Sequence, residues 1–200
     1  GVAQTTTDSI FIDDGVSANL TLAGVTIDVS SQDACALHIG NGTDTPGTGN
    51  VQITLVGDNS LSSGEFPPGL NSIGAAQLTI DGTGTLTATG GTHSMSGDFF
   101  PGGPGIGGNN IIINGGTITA ITGATDGTSF SIEADNFTVS GGTVNGDIST
   151  SSFDMSAGTV NGKVVNVSDS FTISGGEIVS NAAFTVETTP SVITEIHLNG

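Results

Sequence analysis

The sequence has almost no basic residues. Lys163 is the only Lys or Arg among 200 residues, against 19 Asp and Glu, so the formal net charge is −18. Nucleic-acid binding requires Lys and Arg to neutralise phosphates, and an anionic membrane surface would repel this chain. No run approaches the roughly 20 apolar residues of a membrane-spanning helix. We therefore expect neither nucleic acid as a partner nor insertion into a membrane.

Aromatic residues and cysteine are also scarce. Trp and Tyr are absent, Phe occurs 9 times, and Cys35 is the only cysteine, so no intramolecular disulfide can form. Cys35 lies between Ala34 and Ala36 with no cation beside it, which predicts a buried apolar side chain rather than a reactive thiol. The shortage of Lys and Arg removes sites for trypsin-like proteases, which favours an extracellular or cell-surface location.

Small and β-branched residues fill the sequence instead, and they form a repeat. The chain contains 33 Gly, and Ser and Thr make up about a quarter of it. A phrase of ten or eleven residues recurs, such as LTIDGTGTLTA and FTVSGGTVNG. It begins with four residues that alternate between apolar and polar. A pair of small residues such as Gly-Gly follows, and the phrase ends with Thr, an apolar residue and a polar residue. Its seven copies begin at Leu20, Ile53, Leu78, Ile111, Phe137, Phe153 and Phe171.

Each copy predicts two short strands joined by a sharp corner. Alternating apolar residues give a strand with one buried face, and Gly supplies the backbone freedom for the bend. Such a unit cannot bury its apolar side alone, but stacked copies share a continuous core. The predicted fold is all-β: a single-stranded right-handed parallel β-helix (β-solenoid) of about seven or eight coils. An antiparallel β-sandwich is the competing interpretation.

The whole chain, 1–200, is predicted to be one domain. Residues 1–17 form an N-terminal strand or edge segment, 18–180 the repeated coils, and 181–200 a C-terminal strand segment. Two longer loops, 38–50 and 90–110, interrupt the repeat.

The repeat also predicts which side chains stack inside. The first apolar position of each copy should form one column and the third position another. Three consecutive copies begin with Phe, which predicts an internal ladder of Phe137, Phe153 and Phe171. The two columns are Leu20, Ile53, Leu78, Ile111, Phe137, Phe153 and Phe171, and Leu22, Leu55, Ile80, Ile113, Val139, Met155 and Ile173.

Two segments carry a resemblance to known repeats. They are PGLNSIGAAQLTIDGTGTLTATGG and GPGIGGNNIIINGGTITAITG. They resemble the Gly- and Thr-rich parallel β-helix repeats of secreted bacterial surface proteins, which are adhesin-like or described as carbohydrate-binding-domain-containing. The resemblance implies a right-handed β-helix and an extracellular setting, but it supplies no catalytic motif.

No residue pattern predicts catalysis. Lyases on β-helices typically need Arg or Lys, and a glycoside hydrolase needs two carboxylates facing each other across a sugar. The Asp residues instead fall mostly in turns, which Asp favours. We therefore assign no catalytic residue, no bound cofactor and no enzymatic activity. His38, His93 and His197 share no metal spacing. Asp13 and Asp14 are the most compact acidic pair and weak candidates for a structural calcium, although they lack the spacing of a calcium loop.

The ends of a β-solenoid expose strand edges, and no amphipathic helix is predicted to cap them. We expect copies of this chain, stacked head to tail, or further coils of a longer chain to cover them. Candidate interface residues are Phe99, Phe100, Ile10, Phe11, Phe184 and Ile193; for Phe99 and Phe100 a lid over the core is the alternative. The expected function is a non-enzymatic extracellular structural or adhesive protein, as a fibre subunit. The alternatives are a glycan-binding module of a cell-surface protein and, third, a β-helix glycoside hydrolase.

Overall fold

The computed structural model describes residues 4–40, 48–73, 77–92, 102–124, 129–165 and 168–180. These residues form strands, turns and bends, with no helix and hence no helix that could cross a membrane. The strands are β1 (Gln4–Thr6), β2 (Ile10–Ile12), β3 (Ala18–Ala23), β4 (Val25–Asp28), β5 (Leu37–Ile39), β6 (Asn50–Val56), β7 (Asp58–Ser62), β8 (Leu70–Ser72), β9 (Gln77–Gly82), β10 (Thr85–Thr89), β11 (Ile106–Ile113), β12 (Thr117–Ile121), β13 (Ile132–Val139), β14 (Thr143–Asn145), β15 (Ile148–Met155), β16 (Thr159–Asn161), β17 (Val164–Val165), β18 (Ser170–Ile173) and β19 (Glu177–Val179).

Every strand pairing among the described residues is parallel, which confirms an all-β fold built from parallel strands. One sheet has the order β1-β4-β7-β10-β12-β14-β16-β19. The other contains two rows of short strands, β2-β5-β8 and β3-β6-β9, and both β8 and β9 pair with the long strand β11. From β11 the sheet continues through β13 to β15, which pairs with both β17 and β18. Hairpins, which an antiparallel sandwich requires, do not connect the described strands.

Each copy of the repeat pairs with the next, but one register differs from the prediction. Leu78 lies beside Val51, not Ile53, and Ile53 lies beside Ile80. The glycine corners set this register, because Asp58 after Gly57 pairs with Thr85 after Gly84. The third copy has two more residues before its corner than the second, so its strand shifts by two. A shift of two keeps every side chain on its predicted face.

The structure also corrects the two predicted loops. Loop 38–50 begins inside β5 and ends in β6, and residues 106–110 of loop 90–110 belong to β11. We call one passage of the chain through both sheets a winding. Leu37 pairs with Ile10 and with Leu70, so in the first windings β2, β5 and β8 add a third strand to the two that the repeat predicts.

The core lies between the two sheets and contains the predicted Phe ladder. Phe137, Phe153 and Phe171 occupy one register position and are at most 2% exposed. Ring centroids lie 6.4 Å apart for Phe137 and Phe153 and 5.3 Å apart for Phe153 and Phe171, with interplanar angles of 14° and 21°. The ladder prediction is confirmed, and these rings are core rather than ligand platforms.

The corners of successive windings are held together by the Asn59 side chain and lie close to one another at glycines. Asn59 is only 3% exposed and bridges three of them. Its Oδ1 accepts the Val25 N–H at 2.9 Å, and its Nδ2 donates to the Thr85 carbonyl oxygen at 3.1 Å. Gly142 has a φ of +74°, and a Cβ there would lie 2.6 Å from the carbonyl oxygen of Gly116 in the preceding winding. These corners stack too closely for most side chains.

Candidate functional site

The clearest surface feature is a column of outward-facing residues along the second sheet. Strand register places one residue from each winding in it. We call this set the outer column. Its members, in order, are Phe11, His38, Asn71, Gly107, Glu133, Ser149 and Val165. Gly107 has no side chain, so the outer column has a gap at its centre.

An open cleft of about 350 Å³ lies over this gap. Gly107 and Asn109 form its floor together with the ring of Pro104. The winding before the gap contributes one wall, and the windings after it contribute the other. The first wall consists of Pro68, Asn71 and Ile73, and the second of Glu133, Ala134, Asp135 and Ser149.

The proline rings shape this cleft because each lies two residues before a strand that begins beside the gap. Pro68-Gly69-Leu70 and Pro104-Gly105-Ile106 are equivalent, since Leu70 pairs with Ile106. A Cβ on Gly107 would lie 3.0 Å from Cγ of Pro68 and 3.6 Å from Cγ of Pro104. The two rings therefore flank the gap and give the floor apolar edges.

Amide groups on the first wall and floor are held in place by neighbouring windings. Asn71 is 7% exposed, and its Nδ2 lies 3.3 Å from Nδ1 of His38. Asn109 donates from Nδ2 to the carbonyl oxygen of Ile73 at 3.2 Å. An amide has two N–H donors and an acceptor oxygen, so both side chains retain capacity for a ligand. Fixed amides of this kind are preorganised for hydrogen bonding.

Both charged groups of the cleft are carboxylates on the second wall. Glu133 and Asp135 are exposed and come from the same stretch of β13. Lys163, the chain's one basic residue besides histidine, lies 3.6 Å from Asp147, so it does not neutralise the cleft carboxylates. The cleft can therefore attract a cation or accept hydrogen bonds, and none of its lining side chains is positively charged.

Phe11 and His38 extend the outer column toward the first windings. Their rings are stacked, with centroids 5.5 Å apart and an interplanar angle of 4°. Burial lowers the pKa of His38, although a backbone hydrogen bond at Gly40 and the charge of Asp14 oppose this. Phe11 is 59% exposed. One face of its ring is covered by His38, and the other points away from the stack.

A second outward array follows the first sheet. Thr85, Thr117, Thr143 and Thr159 are in register, and so are Thr87, Thr119, Asn145 and Asn161. Their side chains bond to one another: Asn145 Nδ2 donates to Thr119 Oγ1 at 3.1 Å, and Asn161 Nδ2 donates to Asn145 Oδ1 at 2.8 Å. These contacts join neighbouring windings, so the array has a structural role.

The residues predicted from the sequence fall in several places. Asp13 and Asp14 form a turn after β2, in which Asp13 Oδ1 accepts the Asp14 N–H at 3.0 Å. No group of three or more His, Cys, Asp or Glu that could hold a metal ion occurs in the described ranges. Ile10 packs against the core beside exposed Phe11. Phe99, Phe100, Phe184, Ile193, His93 and His197 lie outside the described residues.

Cys35 is half-buried, whereas the sequence predicted a buried apolar side chain. Its Sγ lies 2.9 Å from the carbonyl oxygen of Pro68 and 3.1 Å from that of Leu37. Burial raises the pKa of this thiol above its ordinary value. The structure therefore gives Cys35 the character of a neutral, hydrogen-bonded thiol.

Sequence reasoning missed the cleft. Asn71, Asn109, Glu133 and Asp135 belong to no motif, and they converge only through the strand register. A signal was nevertheless present: the two Pro-Gly-apolar triplets are followed by Asn-Ser in one winding and by Gly-Gly in the next. Aligning them would have predicted a missing side chain at Gly107.

Comparison with known proteins gives this chain no relatives: no family model, curated protein or solved structure matches it significantly.

Proposed function

We propose that this chain is a right-handed parallel β-solenoid of seven windings that acts outside the cell as a non-enzymatic structural or adhesive protein. Parallel pairing between successive copies of the repeat supports this architecture. Parallel strands joined by a crossover are right-handed in roughly 98% of cases, which supports the hand. The near absence of Lys and Arg supports the extracellular location.

One observation carries the proposed assembly: the first strands of the second sheet remain open on one side. Within the described segments, β2 pairs with β5 alone and β3 with β6 alone. Such edges offer unpaired backbone groups to another strand. The exposed face of Phe11 points in the same direction, beyond the last stacked ring. A further winding would pair these strands and cover Phe11.

We infer that a second copy of this chain supplies that winding, so that subunits stack head to tail into a fibre. Further windings of a longer chain would satisfy the same edges. Phe11 is 59% exposed, so burying the rest of its surface contributes on the order of 1–2 kcal/mol. The net charge of −18 opposes association. Because salt screens this repulsion, fibre formation should increase with ionic strength.

Sedimentation velocity and negative-stain electron microscopy at low and high salt test this assembly. We expect rods that lengthen with protein concentration and with salt. Phe11→Asp should shorten them, whereas Val56→Asp, at a residue 49% exposed on the side of the stack, should not. Wild-type protein that stays monomeric at every concentration and salt level contradicts the proposal, as do equal effects of the two substitutions.

Glycan binding is a second proposed function, and the cleft over Gly107 favours it. The cleft combines fixed amides, carboxylates and proline rings, which is the mixture of polar and apolar groups found in small-molecule sites. Hydrolysis of a glycan has less support, because Glu133 and Asp135 lie on the same wall of the cleft rather than facing each other across it. Release of reducing sugar from a polysaccharide panel would overturn the non-enzymatic assignment.

A further inference from the structure

We propose that the cleft over Gly107 binds a short oligosaccharide of amino sugars, with a protonated amino group beside Glu133 and Asp135. This inference rests on the second proposed function, glycan binding, and it adds the position of the site and the class of sugar.

The shape of the cleft fits a chain of sugar rings along the outer column. From Asn71 to Ser149 the outer column crosses three strand spacings, which is about 14 Å at ~4.8 Å per strand. A Cβ on Gly107 would already lie 3.0 Å from Cγ of Pro68, so a sugar ring over the gap lies against the proline rings rather than on the backbone. Pro68 and Pro104 can contact the apolar C–H face of this ring in place of the absent Trp and Tyr.

Hydroxyl groups of such a ring find complementary partners on both walls. A sugar hydroxyl both donates and accepts a hydrogen bond. Amide N–H groups of Asn71 and Asn109 can donate to it, while the carboxylates of Glu133 and Asp135 can only accept. Hydrogen bonds to an ionised carboxylate are roughly twice as strong as neutral ones. The second wall should therefore dominate the orientation of the ligand.

The charge of the cleft selects among sugars. A protonated amino group is attracted to the two carboxylates, and an N-acetylated sugar loses this attraction. A uronate would meet two carboxylates and no cation, because Lys163 lies beside Asp147 instead. The structure thus gives an order of affinity: amino sugar first, neutral N-acetylated sugar second, and uronate last.

The experiment compares three matched ligands, namely short oligomers of glucosamine, N-acetylglucosamine and galacturonic acid. Isothermal titration calorimetry at mildly acidic pH keeps the amines protonated and the carboxylates ionised. The double variant Glu133→Gln, Asp135→Asn should lose about tenfold in affinity for the glucosamine oligomer, which is ~1.4 kcal/mol. It should bind the N-acetylated oligomer with a much smaller change.

A polycation could also bind this acidic chain without a site, so the control removes the same charge elsewhere. Asp154 and Glu177 are exposed and lie outside the cleft. The double variant Asp154→Asn, Glu177→Gln should retain wild-type affinity for glucosamine oligomers. Equal losses in both double variants indicate a general charge effect and overturn the inference.

A steric variant tests the position of the site independently of charge. Gly107→Asn restores the missing member of the outer column and should reduce binding of both the glucosamine and the N-acetylated oligomers. Thr138→Asn, in the same sheet but outside the cleft, is its control. Circular dichroism confirms that each variant folds. Should Gly107→Asn fail to fold, Gly107→Ala, which adds a single uncharged carbon, serves the same purpose.

The outcomes separate this inference from the function on which it rests. If wild-type protein binds none of the three oligomers, glycan binding itself fails. If it binds them but neither the Glu133/Asp135 nor the Gly107 substitutions alter affinity, glycan binding survives at another surface and the inference about this cleft is wrong.

Discussion

The Phe ladder gives a prediction whose size follows from position. Phe153 stacks on Phe137 and on Phe171, whereas among the described residues Phe137 stacks on Phe153 alone. Replacing either Phe153 or Phe137 with Leu keeps most of the buried volume. Phe153→Leu should therefore destabilise the fold more than Phe137→Leu, because it removes two ring contacts rather than one.

The expected magnitudes come from two terms. A volume-conserving apolar swap in a core costs less than about 1.5 kcal/mol. Each aromatic pair adds about 0.5–1.5 kcal/mol beyond its buried area. We expect about 2–4 kcal/mol for Phe153→Leu and about 1 kcal/mol less for Phe137→Leu, given one pair fewer. The coupling between Phe137 and Phe153 in a double-mutant cycle should equal one pair term.

Urea unfolding followed by far-ultraviolet circular dichroism measures these values, since the chain has no Trp or Tyr for fluorescence. The control is the Phe137/Phe171 cycle, whose rings lie about two strand spacings, or ~10 Å, apart and should show almost no coupling. Equal costs for Phe153→Leu and Phe137→Leu, or strong coupling between Phe137 and Phe171, would refute pairwise stacking as the source of stability.

Two further predictions concern the corners and the thiol. Gly142→Ala should destabilise the fold by clearly more than Gly24→Ala in the same urea assay. Both glycines have positive φ, which costs an alanine about 1–2 kcal/mol, but only at Gly142 would the Cβ also meet backbone, 2.6 Å from an oxygen, whereas at Gly24 nothing lies within 4 Å. For Cys35, burial raises the folded-state pKa above the ordinary value of a thiol. The unfolded chain therefore loses this proton first, and the free energy of unfolding should fall as the pH rises above that ordinary value. Cys35→Ala should abolish this fall. Few other side chains titrate at alkaline pH, because the chain has no Tyr and one Lys. An unchanged dependence of stability on pH in Cys35→Ala would contradict the raised pKa of this thiol.

The repeat predicted the parallel strands and the faces of the core, but not the full register. Apolar alternation has a period of two, so it fits Leu78 equally well beside Ile53 or beside Val51. The glycine corners decide between them, since Gly57 and Gly84 must stack. The prediction aligned the copies on their first apolar residues, whereas the structure aligns them on their glycine corners.

The cleft was less predictable than the core. Gly107 and Glu133 are separated by 26 residues and become neighbours only because Ile106 pairs with Ile132. A polar surface position carries no periodic signal, because many residues suit it equally well. Phe11 was predicted as a strand residue, but His38 was placed in the loop 38–50, so their stacking was not predicted.

The sequence alone determined that the chain folds from parallel strands around a core of Phe, Ile, Leu and Val. The repeated alternation leaves one face of each strand apolar, and a Gly in each copy of the repeat marks the corner between its strands. It also determined that the chain is strongly acidic, because one Lys stands against 19 carboxylates. Tertiary structure decided which windings stand opposite one another, and hence the two-residue shift, the open edge at Phe11 and the cleft at Gly107. These features depend on contacts between residues far apart in the chain, and such contacts exist only once the corners have stacked.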